Sequence, residues 1–165
     1  MKLIEIWKAD IDKAYNLQSS FEKDENGFCN DAYGLSKKEY IDYLKQCQNN
    51  SLGINLKEGY VPDTKYVLVD DEDNYVGIFN LRHELNDFLR NGPGHIGYGI
   101  SKKYRHKGYA TKGLALCLKK AKEKGIDIAY LSAHKDNYPS IKAQLNNGAY
   151  IDHEDDKEVY TRIKL

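Results

Sequence analysis

Arg105-His106-Lys107-Gly108-Tyr109-Ala110 is the stretch whose residue types and spacing carry the clearest chemistry. It follows an extended segment beginning at Tyr98 and leads into Ala110, Leu114, Cys117, Leu118 and Ala121, the spacing of one face of a helix. A strand is thus predicted to hand over to a helix through a basic turn that contains a glycine. The first turn of a helix leaves its backbone N–H groups unpaired, the helix dipole adds partial positive charge there, and a glycine lets a ligand approach the main chain. Such a junction suits a phosphate. The nearby Lys102 and Lys103, with Arg105 and Lys107, add Coulomb attraction that solvent screens.

The pattern R-x-x-G-x-A resembles the acyl-CoA pyrophosphate loop of the GNAT superfamily of N-acetyltransferases. Two downstream motifs, Asn137-Tyr138-Pro139-Ser140-Ile141 and Asn147-Gly148-Ala149-Tyr150, resemble the family's later asparagine-led helix and the glycine and aromatic that close it. The match runs from about Tyr75 to Tyr150. It implies an α/β (α+β) fold: a mixed, mostly antiparallel central sheet with a splayed parallel strand pair, flanked by helices. It also implies acetyl-CoA as co-substrate, with no metal, and an amine acceptor attacking directly in a ternary complex. The resemblance places the cofactor on Ile100, Arg105, His106, Lys107, Gly108, Tyr109, Ala110, Thr111, Asn137 and Ser140. The pantetheine arm would lie between the strands His95–Ser101 and Ile128–His134, with a backbone N–H near Tyr98 to Ile100 donating to the thioester oxygen. Gly97 and Gly99 leave it room.

A primary amine has a pKa of about 10.4, so a base or a water chain must take its proton at neutral pH. His95, His134 and Glu84 are the candidates. The leaving thiolate wants a proton, and many family members supply it from a tyrosine seven residues after the asparagine that opens the later helix. Here that position is Gln144, which cannot act as an acid, so Tyr138 or another tyrosine must substitute, or water. The acceptor is expected to be a small molecule. Two alternatives remain: a non-catalytic acyl-CoA-binding sensor or interaction module, and an acetyltransferase for protein N-termini or lysines. A homodimer is plausible, because the resembled family often pairs.

The bulk properties agree with a compact catalytic or binding domain. At 165 residues the chain fits one domain spanning residues 1–165. Basic and acidic residues balance at 25 each, so no global field recruits nucleic acid or an anionic membrane. The 14 tyrosines are spread along every element and read as core and pocket walls rather than a stacking platform for bases. No apolar run approaches the roughly 20 residues of a membrane helix, and the N-terminus breaks its apolar run with charge, so a cytoplasmic protein is expected. Cys29, Cys47 and Cys117 are odd in number and widely spaced, which predicts reduced, structural thiols rather than disulfides or a zinc site. The acidic stretch Asp70-Asp71-Glu72-Asp73-Asn74 lacks calcium-loop spacing and reads as a solvated turn. Gly92, Gly94 and Gly97 fit G-x-G-x-x-G but precede a strand instead of following one, so a dinucleotide site is rejected.

These residues need elements to hold them. Leu3 to Trp7 predicts a strand, and Ala9 to Phe21 a helix with Ile11, Ala14, Tyr15 and Leu17 on its apolar side. Residues 22 to 34 read as a surface loop. Ser36 and Glu39 form a capping box, with Leu35 stapling against Tyr40, and the helix buries Tyr40, Ile41, Leu44 and Cys47. A hairpin over Tyr66–Val69 and Tyr75–Phe79 follows, then a short helix between His83 and Asn91 and a strand from His95 to Ile100. Gly125 ends the long helix, Ile126 to Ala133 is a buried strand, Asn137 caps a helix reaching Asn146 or Asn147, and the tail forms a closing hairpin.

Overall fold

The computed structural model describes residues 1–165, and its centre is a strand covered on both faces. That strand, β4 (Asp63–Val69), pairs antiparallel with β1 (Lys2–Glu5) on one side and β5 (Tyr75–Arg82) on the other, and β5 pairs antiparallel with β6 (Ile96–Ile100). Successive side chains alternate between faces. Val67, Val69 and Ile78 therefore pack against α1 (Ile11–Ser19) and α2 (Lys37–Leu52), while Tyr66, Leu68, Phe79 and Leu81 join a second core with α4 (Tyr109–Glu123). Burial on both faces explains why Tyr66-Val67-Leu68-Val69 is a continuous apolar run.

Local chemistry sets the helix boundaries. Asp10 caps α1 by accepting from the Lys13 N–H at 2.9 Å, so the helix starts at Ile11 and not at Ala9. The capping box at Ser36 and Glu39 is present as expected. Ile11 and Ile41, expected on buried sides, are exposed. In α2 the buried stripe is Tyr40, Leu44 and Cys47, and Ile41 lies about 100° further round the helix than Tyr40. The helix expected between His83 and Asn91 shrinks to α3 (Asp87–Arg90), opened by Asn86 as N-cap.

The region expected to be a surface loop, residues 22 to 34, contains a small hairpin, β2 (Asp24–Glu25) with β3 (Phe28–Cys29). Its turn residues, Asn26 and Gly27, have φ of 55° and 84°, the left-handed pair that a tight two-residue hairpin requires. Cys29 on this hairpin is exposed rather than buried, whereas Cys47 and Cys117 are buried, and all three are free.

The remaining strands form a separate antiparallel sheet in the order β7 (Ile128–His134), β9 (Glu158–Lys164) and β8 (Tyr150–Glu154), with α5 (Tyr138–Leu145) after β7. β6 and β7 share no ladder. They touch where the His95 N–H donates to the Tyr130 carbonyl at 2.7 Å, beside a single antiparallel bridge between Gly94 and Leu131. Beyond it the two strands run in the same sense. The far end of each reaches the β2–β3 hairpin, Gly99 beside Phe28 and His134 beside Gly27. The expected splayed pair is thus an opening between two sheets. No helix is long and apolar enough to cross a membrane.

Candidate functional site

The turn between β6 and α4 exposes an uninterrupted row of peptide donors. The N–H groups of His106, Lys107, Gly108, Tyr109, Ala110 and Thr111 have no acceptor within the chain. Gly108 is the N-cap of α4 with φ 76°, and His106, a non-glycine residue, is also left-handed at φ 62°. Left-handed residues in such a turn make successive N–H groups line an anion-binding concavity, and the helix N-terminus adds its dipole. An ideal Cβ on Gly108 would meet nothing within 4 Å. The space over the turn is open to a ligand. The Thr111 carbonyl accepts from Asn147 Nδ2 at 3.0 Å, which ties this first turn of α4 to the end of α5.

Arg105 behaves differently from the expectation that its charge faces a phosphate. Its Nε donates to the Ile100 carbonyl at 2.9 Å, and its guanidinium pairs with the Glu25 carboxylate on the hairpin. Its charge is shared with the hairpin carboxylate, and the turn offers chiefly its backbone. Lys107 and Lys103 lie over the Tyr104 ring, 5.6 and 5.2 Å from its centroid.

The opening between β6 and β7 presents a second set of donors. The Ser101 N–H donates to the Val76 carbonyl and the Arg82 N–H to the His95 carbonyl, so odd-numbered residues of β6 face β5. The N–H groups of Tyr98 and Ile100 therefore face the opening, where no chain acceptor meets them. The Tyr98 ring stacks on Phe79 with centroids 5.2 Å apart, and its hydroxyl reaches Ser140 in the first turn of α5. Burial raises the Tyr98 phenol's pKa and keeps it protonated. Asn137 caps α5 by accepting from the Ser140 N–H at 3.3 Å.

On the face toward α1 and α2 the sheet turns polar at one end. Asp63, Lys65, Asn80 and Arg82 lie side by side there, and Gly97, opposite Asn80, leaves space with nothing within 4 Å of its Cβ position. Asn80 Oδ1 is buried without a hydrogen-bond partner. Burial raises the Asp63 carboxyl above the usual range. Lys65 Nζ donates to Asp31 at 2.7 Å and to the Tyr43 hydroxyl at 2.9 Å, fixing the chain between the first two helices against this floor.

The residues proposed for proton transfer are scattered. His95 is 7 % exposed; its Nδ1 accepts from the Tyr130 N–H at 3.0 Å, and burial, then Arg90, Arg82 and Arg162, lower its pKa to about 4. It pins the two sheets together as a neutral ring. His134 Nε2 lies 3.2 Å from Glu158 at the end of β7, against Gly27 of the hairpin. Glu84 is exposed and makes no ion pair or hydrogen bond. Tyr138 is 73 % exposed, and its hydroxyl has no partner. Gln144 is fully buried: its Nε2 donates to the Ser132 carbonyl at 3.3 Å and its Oε1 accepts from the Thr161 hydroxyl at 2.7 Å. The side chains of Tyr98, Asn80 and Asp63, which line the opening and its floor, were not among those singled out from the sequence, where Tyr98 entered only through its backbone N–H. Nor was Glu25. No group of three or more His, Cys, Asp or Glu side chains is placed to hold a metal ion.

A strand opening onto unpaired amides is thus followed by a helix whose N-terminus is free to take an anion. The chain belongs to the acetyltransferase (GNAT) family, whose model matches residues 20–144. It is an acyltransferase, and the family uses acetyl-CoA as co-substrate and amine-type acceptors. Its fold is similar to that of the ribosomal-protein-S5-alanine acetyltransferase from Vibrio fischeri, with a TM-score of 0.69, 16 % identity, and coverage of 99 % of this chain and 91 % of that one. An N-acetyltransferase from Campylobacter jejuni gives a TM-score of 0.61 at 14 % identity, covering 99 % and 96 %. A GNAT-family acetyltransferase from Bacillus anthracis gives 0.60 at 16 %, covering 96 % and 88 %. No curated protein sequence matches significantly.

Proposed function

We propose that this protein transfers an acetyl group from acetyl-CoA to a primary amine by direct attack in a ternary complex, with a small molecule as acceptor. The observation that carries this is the row of unpaired N–H groups from His106 to Thr111, which fits a diphosphate, in line with the unpaired Tyr98 and Ile100 amides. Acetyl-CoA supplies the activated thioester. The His106–Thr111 backbone holds the diphosphate, with Lys107 beside it and Asn137 and Ser140 flanking the path of the arm. The Tyr98 or Ile100 N–H donates to the thioester oxygen, where negative charge builds during attack, and a fixed donor in the opening stabilises that charge. The polar floor at Asp63, Asn80 and Gly97 receives the amine from the opposite face. The test is to incubate the protein with acetyl-CoA and a panel of amines and follow free thiol. Amine-dependent thiol release is expected. Absence of release with every amine, though coenzyme A binds, would overturn the catalytic reading.

One observation favours a second reading. Gln144 is locked by Ser132 and Thr161, so α5 brings no acid to the opening. A non-catalytic acyl-CoA-binding module accounts for that, and coenzyme A binding without turnover is its signature. Peptide acceptors belong in the same panel, because the Vibrio fischeri neighbour is described as acting on a ribosomal protein.

A further inference from the structure

We infer that Glu25 is a positioning residue that couples ligand binding at the His106–Thr111 turn to the ordering of the β2–β3 hairpin over the opening between β6 and β7. The inference rests on the reading of that turn as a diphosphate site. Glu25 is the point where hairpin and turn meet. Its side chain is 8 % exposed; its carboxylate pairs with the Arg105 guanidinium, and Lys102 Nζ lies 3.3 Å away. The Glu22 N–H also donates to it at 3.2 Å, and Lys102 reaches Glu22 at 3.4 Å. Arg105 meanwhile holds the Ile100 carbonyl at the end of β6 and directly precedes the row of free N–H groups. One guanidinium therefore links three pieces: the hairpin, the end of β6 and the turn.

The hairpin's position gives that link a consequence. Phe28 packs over Gly99 of β6 and against Phe21, with ring centroids 5.0 Å apart, and Gly27 abuts His134 of β7. The hairpin thus spans both strands of the opening. Its ladder is only two residue pairs long, so it has little order of its own and depends on such anchors. A diphosphate on the turn has no need of Arg105, because the donors are main-chain. Pulling Arg105 away would leave the largely buried Glu25 carboxylate only the exposed Lys102 as a charge partner, which is unfavourable. Fixing the turn therefore fixes Arg105, and Arg105 holds Glu25 and the hairpin. By linkage, a hairpin that is held in place favours the ligand-ready turn to the same extent.

Amide hydrogen exchange with coenzyme A as the probe tests this without any knowledge of the acceptor. In the wild-type protein, saturating coenzyme A should slow exchange at residues 106–111 and, through Glu25, slow residues 22–30 by about fivefold or more, the lower end of ordinary coupling. In Glu25→Gln, coenzyme A should still protect residues 106–111 but leave residues 22–30 unchanged. A merely structural pair would lower the melting temperature and leave the ligand-dependent slowing intact. If Glu25→Gln does not fold, Arg105→Lys is read by the same criterion, since it keeps the charge and loses the fork. Hairpin slowing in the variant equal to wild type, or a wild-type hairpin indifferent to ligand while residues 106–111 are protected, would overturn the coupling alone. Protection at neither segment of the wild type would bring down the diphosphate reading as well.

Discussion

The Tyr98 hydroxyl lies 2.9 Å from Ser140 Oγ and 3.2 Å from the Ser140 carbonyl, so a side chain of β6 bridges to the first turn of α5 across the opening between the sheets. Burial keeps this hydroxyl protonated on the helix side of the opening, whereas Tyr138 is exposed to solvent. If a side chain protonates the leaving thiolate, Tyr98 is the one placed to do so. Tyr98→Phe keeps the stack on Phe79 and should lower kcat on the order of 10²-fold, the lower end for general acid catalysis, with coenzyme A affinity little changed. Tyr138→Phe should leave both within about twofold of wild type, a bound that follows from its exposure and lack of partners. Steady-state kinetics with calorimetric coenzyme A binding would check the pair, and an inactive Tyr138→Phe would reverse the assignment.

Gly108 combines φ 76° with empty space around its Cβ position. A side chain there therefore disturbs the fold only through the left-handed backbone, at a cost of about 1–2 kcal/mol. It would, however, stand over the row of free N–H groups. Gly108→Val is expected to stay folded by circular dichroism and to lose coenzyme A affinity by roughly 100-fold or more, equivalent to about 2.7 kcal/mol. Unchanged affinity in a folded Gly108→Val would mean that the ligand lies elsewhere.

The turn and its helix were readable from residues 98 to 125 because glycine, basic residues and helical spacing are local signals. The same holds for the capping box at Ser36 and for Asn137 as the cap of α5. What the sequence did not reveal was the fate of individual charges. Arg105 reads as a phosphate ligand until Glu25, 80 residues away, is seen beside it. The hairpin that carries Glu25 had a signal, Asn26-Gly27, but its strands are two residues each and lack the alternating apolar flanks that make such a turn persuasive. Asn80 and Asp63 sit among apolar strand residues, and only the register with Gly97 shows that they line a recess. The splay between β6 and β7 came from the family resemblance, since no local pattern encodes a pairing that is not made.

Gly113 lies in the middle of α4, where alanine would ordinarily stabilise a helix by about 1 kcal/mol. Here a Cβ would run into the Phe79 ring and come within 2.8 Å of Leu68 Cδ2, both fully buried. The helix sits this close to the sheet because residue 113 has no side chain, and that closeness sets the height of the α4 N-terminus above β6. Overpacking of this kind costs about 1–3 kcal/mol, so it outweighs the propensity gain. Gly113→Ala should lower the urea midpoint and also weaken coenzyme A binding, since shifting α4 shifts the phosphate turn. A stabilised variant would show that the ring can move aside.

His95 and His83 are both held neutral, each with its pKa lowered to about 4, first by burial and then by nearby cations: Arg90, Arg82 and Arg162 for His95, and Lys124 for His83. An unfolded histidine titrates near 6.5. The stability these rings contribute is therefore complete above about pH 6.5 and is lost as the pH falls from there toward 4, because only the unfolded chain takes up the protons in that window. Each ring adds at most about 1.4 kcal/mol per pH unit to the slope, and the more exposed His83 adds less. Melting temperatures measured from pH 8 to pH 4 should be flat at first and then decline below 6.5. His95→Asn offers a carbonyl oxygen to the Tyr130 N–H without a titrating ring, so its decline should be shallower. A variant with the wild-type pH profile would mean that His95 is not the ring responsible.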